Sequence, residues 1–403
     1  MLEQHPKRAE VILIVYLALL VLGQLLRWQV SLTTAIYPVD LLSIVLLPAA
    51  FTVLPSHWWC WWKSHIRFTK WLMILLACWI LLGWLLAWNQ HQEILGSILR
   101  FARVGGQLVV GWYLTYHVRP RAASWWISVL WLLGITWGWL QYLAIPDMRW
   151  LAVFGWDDHY YRMMGAFFDP NYLGVWCVMA LVWFWRFELS RKWLGISTLM
   201  ITAAIAVTFS RASYLALAVS TVWMLLWHHT TDRKYQQWWL TGLVAGTLVV
   251  SILLAPKPGG EGVNLGRTAS SSARLTASVE WMPHTWQEWL IGRGVGIHSV
   301  ERSESYRADH SQLPDTLALL VLSGVGIGGS FLVVCLVWLL RKEWMNWPTW
   351  LQAMWLAVLV HAQFNNTLFQ PMIWSWLMIV TFFGRTNRTW PCARLTSQAK
   401  TNH

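Results

Sequence analysis

The sequence predicts an all-α polytopic membrane protein of about twelve transmembrane helices, with a large loop between spans nine and ten. Hydrophobic residues make up 57% of the 403 positions and charged residues only 12%, about half the charged fraction of an ordinary soluble domain. Apolar runs long enough to cross a bilayer follow one another along almost the whole chain. Because no stretch is left for a separate soluble domain, we interpret residues 1–403 as one membrane domain.

Twelve apolar runs are separated by polar or proline-containing segments. The first run follows Lys7 and Arg8, but no small-residue cleavage site comes after it, so it is interpreted as a retained helix and not as a signal peptide. The runs lie near Val11–Leu26, Leu32–Leu54, Trp71–Trp88, Ile94–Tyr116, Ser124–Ile145, Asn171–Phe187, Trp193–Phe209, Ala212–Trp227, Trp238–Leu254, Thr316–Leu340, Trp350–Leu368 and Met372–Phe383.

The distribution of lysine and arginine predicts the orientation. When the N-terminus is placed in the cytoplasm, nearly every cytoplasmic connection holds two or more positive residues, as the positive-inside rule requires. Both termini, including the tail 385–403, are therefore expected to be cytoplasmic. The two long connections, Pro146–Pro170 and Ala255–Pro314, then lie on the outer face.

Composition argues against several classes of function. The formal charge of +12 does not indicate nucleic-acid binding, because the basic residues lie mainly between apolar runs. Tryptophans at run ends, such as Trp238 and Trp239, suit the membrane interface. The five cysteines lack paired spacing, so neither a zinc site nor a disulfide framework is indicated. Asp157, Asp158 and His159 stand together without a second ligand cluster, and no metal is predicted.

Arg211 lies in the very short turn between the seventh and eighth apolar runs. An arginine at such a depth is costly unless it has a partner. Two interpretations stay open. The side chain either snorkels to the membrane interface, or its planar fork of donors captures an anion such as a phosphate.

The long outer loop contains further arginines and a glycine-rich segment. The arginines are Arg267, Arg274 and Arg293, in a segment where the positive-inside rule gives no reason for positive charge. The glycine spacing of Gly292–Gly296 is similar to that of phosphate-binding loops, but it lacks the preceding strand and the lysine, so alone it is a weak signal. Aromatic residues at helical spacing before it indicate a short helix on the membrane surface.

Three other polar residues each have a functional and a structural interpretation. His310 precedes the tenth run. It is either a general base or an uncharged hydrogen-bond donor with a structural role. Asp169 precedes a proline and is expected to cap the next helix. Asp40 falls in the second run, where an acid is a functional candidate unless it only pairs with Arg100 or Arg103.

Three segments, in this order, resemble the superfamily of bacterial O-antigen ligases and O-antigen polymerases. They are Gly165–Gly174, Thr208–Leu217 and the stretch from Arg274 through Gly329. The predicted topology also resembles that family. The segment His310-Ser-Gln-Leu-Pro-Asp-Thr316 is more similar to the ligase branch than to the polymerase branch.

The resemblance implies a GT-C-like, metal-independent and inverting glycosyltransferase of lipopolysaccharide biosynthesis that uses no cofactor. It would transfer O-antigen from undecaprenyl pyrophosphate to lipid A-core at the periplasmic face of the bacterial inner membrane. The implied catalytic residues are His310, Arg211 and Arg274. Arg293 is the alternative to Arg274 as the second arginine. The substrate-binding candidates are Arg293, Arg267, Arg162, Asp169, Asn171, Asp315 and Asp40. Membrane lipids are expected partners, and nucleic acid is not.

Other functions remain as alternatives. An O-antigen polymerase would use the same donor and differ in its acceptor. A transporter of lipid-linked glycans is favoured by twelve spans and by Asp40, but the sequence has no internal repeat and its polar residues gather on one face. A structural scaffold would leave the long aromatic outer loop without a purpose.

Overall fold

The computed structural model describes residues 6–30, 35–64, 67–89, 94–154, 156–187, 190–227, 231–258, 262–266, 268, 278–279, 281–296 and 314–385. Among the implied catalytic residues, Arg211 is therefore described, whereas Arg274 and His310 lie outside the described residues, as does Arg267. The remaining candidate residues all lie within them.

The described chain is almost entirely helical. Its α-helices are α1 Pro6–Leu22, α2 Pro38–Ser64, α3 Arg67–Asn89, α4 Leu95–His117, α5 Pro120–Ala144, α6 Pro170–Trp185, α7 Arg191–Val207, α8 Arg211–Trp227, α9 Thr231–Leu254, α10 Trp286–Ile291, α11 Leu317–Met345, α12 Thr349–His361 and α13 Pro371–Arg385. Short 3-10 turns lie at Gly23–Leu26, Arg149–Phe154, Gly165–Phe167 and Thr367–Phe369. A two-residue antiparallel pair joins β1 Trp28–Gln29 to β2 Ala35–Ile36.

Five of these helices are long and apolar enough to cross a membrane, and several shorter apolar helices accompany them. The long ones are found at Lys7–Leu26, Arg67–Asn89, Pro120–Ala144, Gln237–Leu254 and Leu317–Met345. Each of the twelve apolar runs of the sequence overlaps one of the described helices. The prediction of an all-α membrane protein is confirmed at this level.

Helix α6 lies at the centre of the bundle. Every residue from Leu173 to Phe184 is buried, and the helix packs against α5, α7, α8 and α12. A helix that is apolar on all sides has no face for water, so either protein or lipid must surround it. The contacts with four neighbouring helices place α6 in the protein interior and not at the lipid surface.

The largest side chains of the core are tryptophans. Trp131, Trp176, Trp183 and Trp376 are fully buried, and Trp131 stacks on Trp376 with ring centroids 4.7 Å apart. Aromatic pairs of this kind contribute about 0.5–1.5 kcal/mol beyond the area that they bury. Trp238 is exposed, as expected of an interface tryptophan, so the tryptophans of this chain serve both to anchor and to pack.

One end of the bundle carries most of the candidate residues. There the backbone N–H of Met163, between α5 and α6, donates to the carbonyl of Val207 at the end of α7 (3.0 Å). The N–H of Leu317, at the start of α11, donates to the carbonyl of Ala362 just after α12 (2.7 Å). We call this end, with its connections 145–169, 208–210 and 362–370, the loop end.

Helix α11 is broken at Gly326, which has φ 64° and ψ −172°. A break leaves backbone carbonyls without helical partners, and such groups must be satisfied when water is excluded. Three donors from other segments bond to carbonyls beside the break: the N–H of Arg293 to Ser323 (2.7 Å), the N–H of Gly294 to Gly324 (3.1 Å) and the indole N–H of Trp79 to Val325 (2.9 Å). The segment after α10 therefore packs into the break.

Substituting Gly292 by alanine should destabilise this packing. Gly292 has φ +86°, and a Cβ there would lie 2.4 Å from the carbonyl oxygen of Gly324. Left-handed backbone costs a non-glycine residue about 1–2 kcal/mol, and the clash with backbone adds to that. We expect a lower midpoint of thermal unfolding for the purified variant in detergent.

The matched control is Gly246→Ala in α9. A Cβ at Gly246 would meet no atom within 4 Å, and alanine gains about 1 kcal/mol of helix propensity over glycine. The control should therefore unfold at the same or a slightly higher temperature. Equal midpoints for the two variants would contradict the proposed role of Gly292.

Candidate functional site

The candidate site is built around the junction between α7 and α8. Helix α7 ends at Val207, and the chain turns through Phe209, a buried residue with φ 51°. The hydroxyl of Ser210 then accepts the backbone N–H of Ser213 (3.3 Å), which is the hydrogen bond of a helix N-cap. Arg211 is thereby placed at the first position of α8.

The N-terminus of α6 packs closely against this junction. The hydroxyl of Ser213 lies 3.3 Å from the carbonyl oxygen of Asn171. A Cβ on Gly174 would lie 2.3 Å from the same hydroxyl. The absence of a side chain at Gly174 is thus what allows α6 and α8 to approach each other at the loop end.

Arg162 belongs to the connection between α5 and α6, and its side chain contacts the same junction from the buried side. Only 5% of its surface is exposed, and its Nε donates to the carbonyl oxygen of Thr208 (2.8 Å). Thr208 follows the last residue of α7, so the cation lies at a helix C-terminus, where positive charge is favoured. Gly262 lies next to the Arg162 side chain, since a Cβ added at Gly262 would be 3.4 Å from its Cδ.

Arg211 lies on the accessible side of the junction. Its side chain is exposed, and Nη1 lies 3.5 Å from the carbonyl oxygen of Leu265. Arg162 and Arg211 therefore contact both the α7–α8 junction and the segment 262–266, although they come from different parts of the chain. The structure brings these two of the predicted arginines to one site.

Asp169 is the N-cap of α6. Its Oδ1 accepts the backbone N–H groups of Asn171 (2.6 Å) and Tyr172 (3.3 Å), so the capping interpretation is confirmed. Burial, and secondly the nearby carboxylate of Asp157, raise the pKa of Asp169, while the hydrogen bonds and Arg162 oppose that shift. Asp169 fixes the start of α6 at the loop end.

Tyr172 and Asn366 join the third connection to the site, and neither was among the predicted residues. The hydroxyl of Tyr172 donates to the side-chain oxygen of Asn366. At the start of the same connection, Nδ1 of His361, the last residue of α12, lies 2.7 Å from the hydroxyl of Thr367. The connection 362–370 is short and carries no charged residue, so the sequence offered no signal for its part in the site.

Asp40 forms an ion pair in the first turn of α2. Its carboxylate accepts from Nε of Arg103 (2.9 Å) and lies 2.7 Å from Nη2 of the same residue. It also accepts the backbone N–H of Tyr37 (3.0 Å). Of the two arginines that the sequence offered, Arg103 is the partner, and this pair accounts for an acid at that position.

Arg293 holds together the segment around α10. Its Nε donates to Glu288 (2.9 Å) and its Nη2 to the carbonyl of Met282 (2.8 Å). The backbone amides of Gly292, Arg293 and Gly294 donate to protein carbonyls. The glycine spacing of this segment is therefore explained by its packing against α11, because amides used in this way cannot also cradle a phosphate.

Asp315 lies two residues before Leu317, the first residue of α11. The hydroxyl of the next residue, Thr316, caps that helix by accepting the N–H of Leu319 (3.3 Å). Asp315 is thus placed at the loop end, because Leu317 is bonded to the segment after α12.

Comparison of the sequence with known proteins gives no match, either among protein families or among curated proteins. Within the described ranges, no group of three histidine, cysteine, aspartate or glutamate side chains is arranged to hold a metal ion. A buried and an exposed guanidinium beside one junction form a positive site that suits phosphate oxygens.

Proposed function

We propose that this protein is an O-antigen ligase, which transfers polysaccharide from undecaprenyl pyrophosphate to lipid A-core. The observation that carries the proposal is the placement of Arg162 and Arg211 at the same α7–α8 junction, each against the segment 262–266. The resemblance of the sequence to the ligase branch supplies the identity of the substrates.

The reaction explains why arginines are needed. As the anomeric bond breaks, negative charge grows on the pyrophosphate leaving group, and fixed positive groups stabilise that charge in the transition state. In many phosphate-transfer enzymes a metal ion has this role. Here Arg211 is proposed to bind the pyrophosphate directly, together with Arg274. Arg162 is proposed to add positive charge from the buried side of the junction and to stabilise the turn through its hydrogen bond to Thr208.

The loop end is proposed to face the periplasm in a twelve-span topology with both termini in the cytoplasm. Reporter enzymes fused after Arg119, after Arg191 and at the C-terminus should then give cytoplasmic signals. A reporter inserted within Gly259–Asn264 should give a periplasmic signal, because the connections of the opposite end carry the positive charge. A periplasmic signal at Arg191 would contradict this topology.

Glycan transfer by the purified protein should survive exhaustive chelation. The assay contains undecaprenyl pyrophosphate-linked glycan and lipid A-core, with and without a chelator of divalent ions, and measures lipid A-core that has gained polysaccharide. If arginines stabilise the leaving group, the rate should not change. Loss of activity that added divalent ion restores would contradict the metal-independent mechanism.

The product of this assay also separates the alternative functions. Elongation of the donor-linked glycan, with no transfer to lipid A-core, would indicate an O-antigen polymerase. Movement of the donor across vesicle membranes without any new glycosidic bond would indicate a transporter. Only transfer to lipid A-core supports the ligase.

A further inference from the structure

A large groove opens at the end of the bundle opposite the loop end. It lies between the first part of α5, the end of α6 and the start of α7, with α1 beside it. Its volume is about 840 Å³, within the range of about 300–1,000 Å³ that is usual for ligand sites. The apolar part of its wall is formed by Trp125, Trp126, Val129, Leu132, Phe184 and Phe187.

The apolar wall of the groove faces the bilayer. Trp125 and Leu132 are both exposed large side chains of α5, and α5 is one of the helices that are long and apolar enough to cross a membrane. A soluble ligand would leave this wall in contact with lipid and gain little from it. Hydrocarbon chains are the groups that fit such a surface.

The mouth of the groove is positively charged. Arg119 and Arg121 flank the first residue of α5, both are exposed, and both line the groove. One acidic residue, Glu10, lines it as well. Two arginines against one glutamate leave a net positive mouth at the end of a helix, which is the level of the lipid headgroups.

A third cation lies behind the mouth. Nη2 of Arg186 donates to the hydroxyl of Ser124 (2.7 Å), which is itself part of the lining. The guanidinium of Arg186 lies 3.3 Å from the ring centroid of Trp183 and 4.4 Å from that of Phe187. These contacts fix the cation in place, so its charge contributes to the groove without a further ordering cost.

We infer that this groove binds an anionic glycerophospholipid. The phosphate of the headgroup lies at Arg119 and Arg121, and an acyl chain follows Trp125 toward Leu132 along α5. A zwitterionic phospholipid offers the same chains, but its positive amine or choline opposes the arginines. Each arginine near a membrane surface favours the anionic lipid about fivefold, or about 25-fold for two. Because Glu10 also lines the groove and opposes the anion, we expect a preference of about tenfold.

Native mass spectrometry of the full-length protein tests this inference. The probes are phosphatidylglycerol and phosphatidylcholine with the same acyl chains, titrated separately in detergent micelles. Wild-type protein should bind the first phosphatidylglycerol about tenfold more tightly than phosphatidylcholine. The double variant Arg119→Gln/Arg121→Gln should lose that preference, since it keeps the apolar wall and removes both charges.

The matched control is Arg341→Gln/Lys342→Gln. These two cations are also exposed and lie near the end of α11, outside the groove, and the variant loses the same total charge. It should keep the wild-type preference. An equal loss in both double variants would overturn the inference, because the preference would then reflect total charge and not this groove.

Cross-linking locates the lipid. A phosphatidylglycerol with a photoactivatable acyl chain should label the peptide that contains Trp125 and Leu132 in the wild type, and label it less in the groove variant. Labelling elsewhere would overturn the inference. So would tighter binding of undecaprenyl phosphate than of phosphatidylglycerol, which would assign the groove to the lipid carrier. Gel filtration establishes that each variant is folded before it is compared.

Discussion

Replacing Arg211 by lysine should reduce the rate of glycan transfer about 100-fold, nearly as far as replacing it by alanine. Lysine keeps the charge but loses the planar fork that can donate two parallel hydrogen bonds to phosphate oxygens. Removal of one preorganised donor to a developing oxyanion commonly costs a factor of about 100–1,000. The measurement is the initial rate of transfer to lipid A-core by the purified variants.

The control for Arg211 is Arg149→Lys. Arg149 also belongs to the loop end, is exposed, and donates to a carboxylate, with Nε and Nη2 at 2.9 and 2.6 Å from Asp147. Exposed ion pairs contribute little to stability, so this variant should transfer glycan at the wild-type rate. Full activity of the Arg211→Lys variant would show that position 211 needs only a positive charge or a membrane anchor.

The helices of the bundle could be predicted from the sequence alone. A run of about 20 apolar residues in lipid must be helical, because every backbone group has to be satisfied within the segment. The cap formed by Asp169 could also be predicted, since the pairing of an N-cap acid with a following proline is a local property of the chain. Helices and caps depend on neighbours in sequence, which a single sequence displays.

Packing within the membrane could not be predicted in the same way. Lipid and protein interior are both apolar, so nothing in the sequence distinguishes buried Trp131 from exposed Trp125. The pattern that separates core from surface in water is lost when the solvent is lipid. Exposed tryptophans at helix ends were expected, whereas the buried cluster follows only from the arrangement of α5, α6 and α13.

The site itself depends on long-range contacts. Arg162 and Thr208 are 46 residues apart, and no spacing rule joins a loop arginine to the end of a distant helix. The break in α11 is similar, because the segment after α10 is what satisfies the carbonyls of Ser323 and Gly324. The glycines of both segments were visible in the sequence, but the contact between them was not.

The other large effect on the rate of glycan transfer is expected from substitutions of His310. This residue stands in the segment that resembles the ligase branch. It stands four residues before Pro314, and four residues of extended chain span at most about 14 Å. Pro314 precedes Leu317, which is bonded to the segment after α12 at the loop end. Chain length alone therefore keeps position 310 within about 14 Å of Pro314, near the start of α11 at the loop end.

His310→Ala should slow glycan transfer about 100-fold or more while leaving membrane insertion and donor binding intact. A positioned general base commonly contributes a factor of about 100–10,000, because the attacking sugar hydroxyl must lose its proton. The wild-type rate should fall on acidification through the range in which imidazole titrates, since a protonated ring cannot accept a proton. His310→Gln distinguishes a base from a positioning group, because the amide can orient the acceptor by hydrogen bonding but cannot take its proton. A glutamine variant as slow as the alanine variant supports proton transfer, whereas near wild-type activity of the glutamine variant would assign His310 to positioning alone.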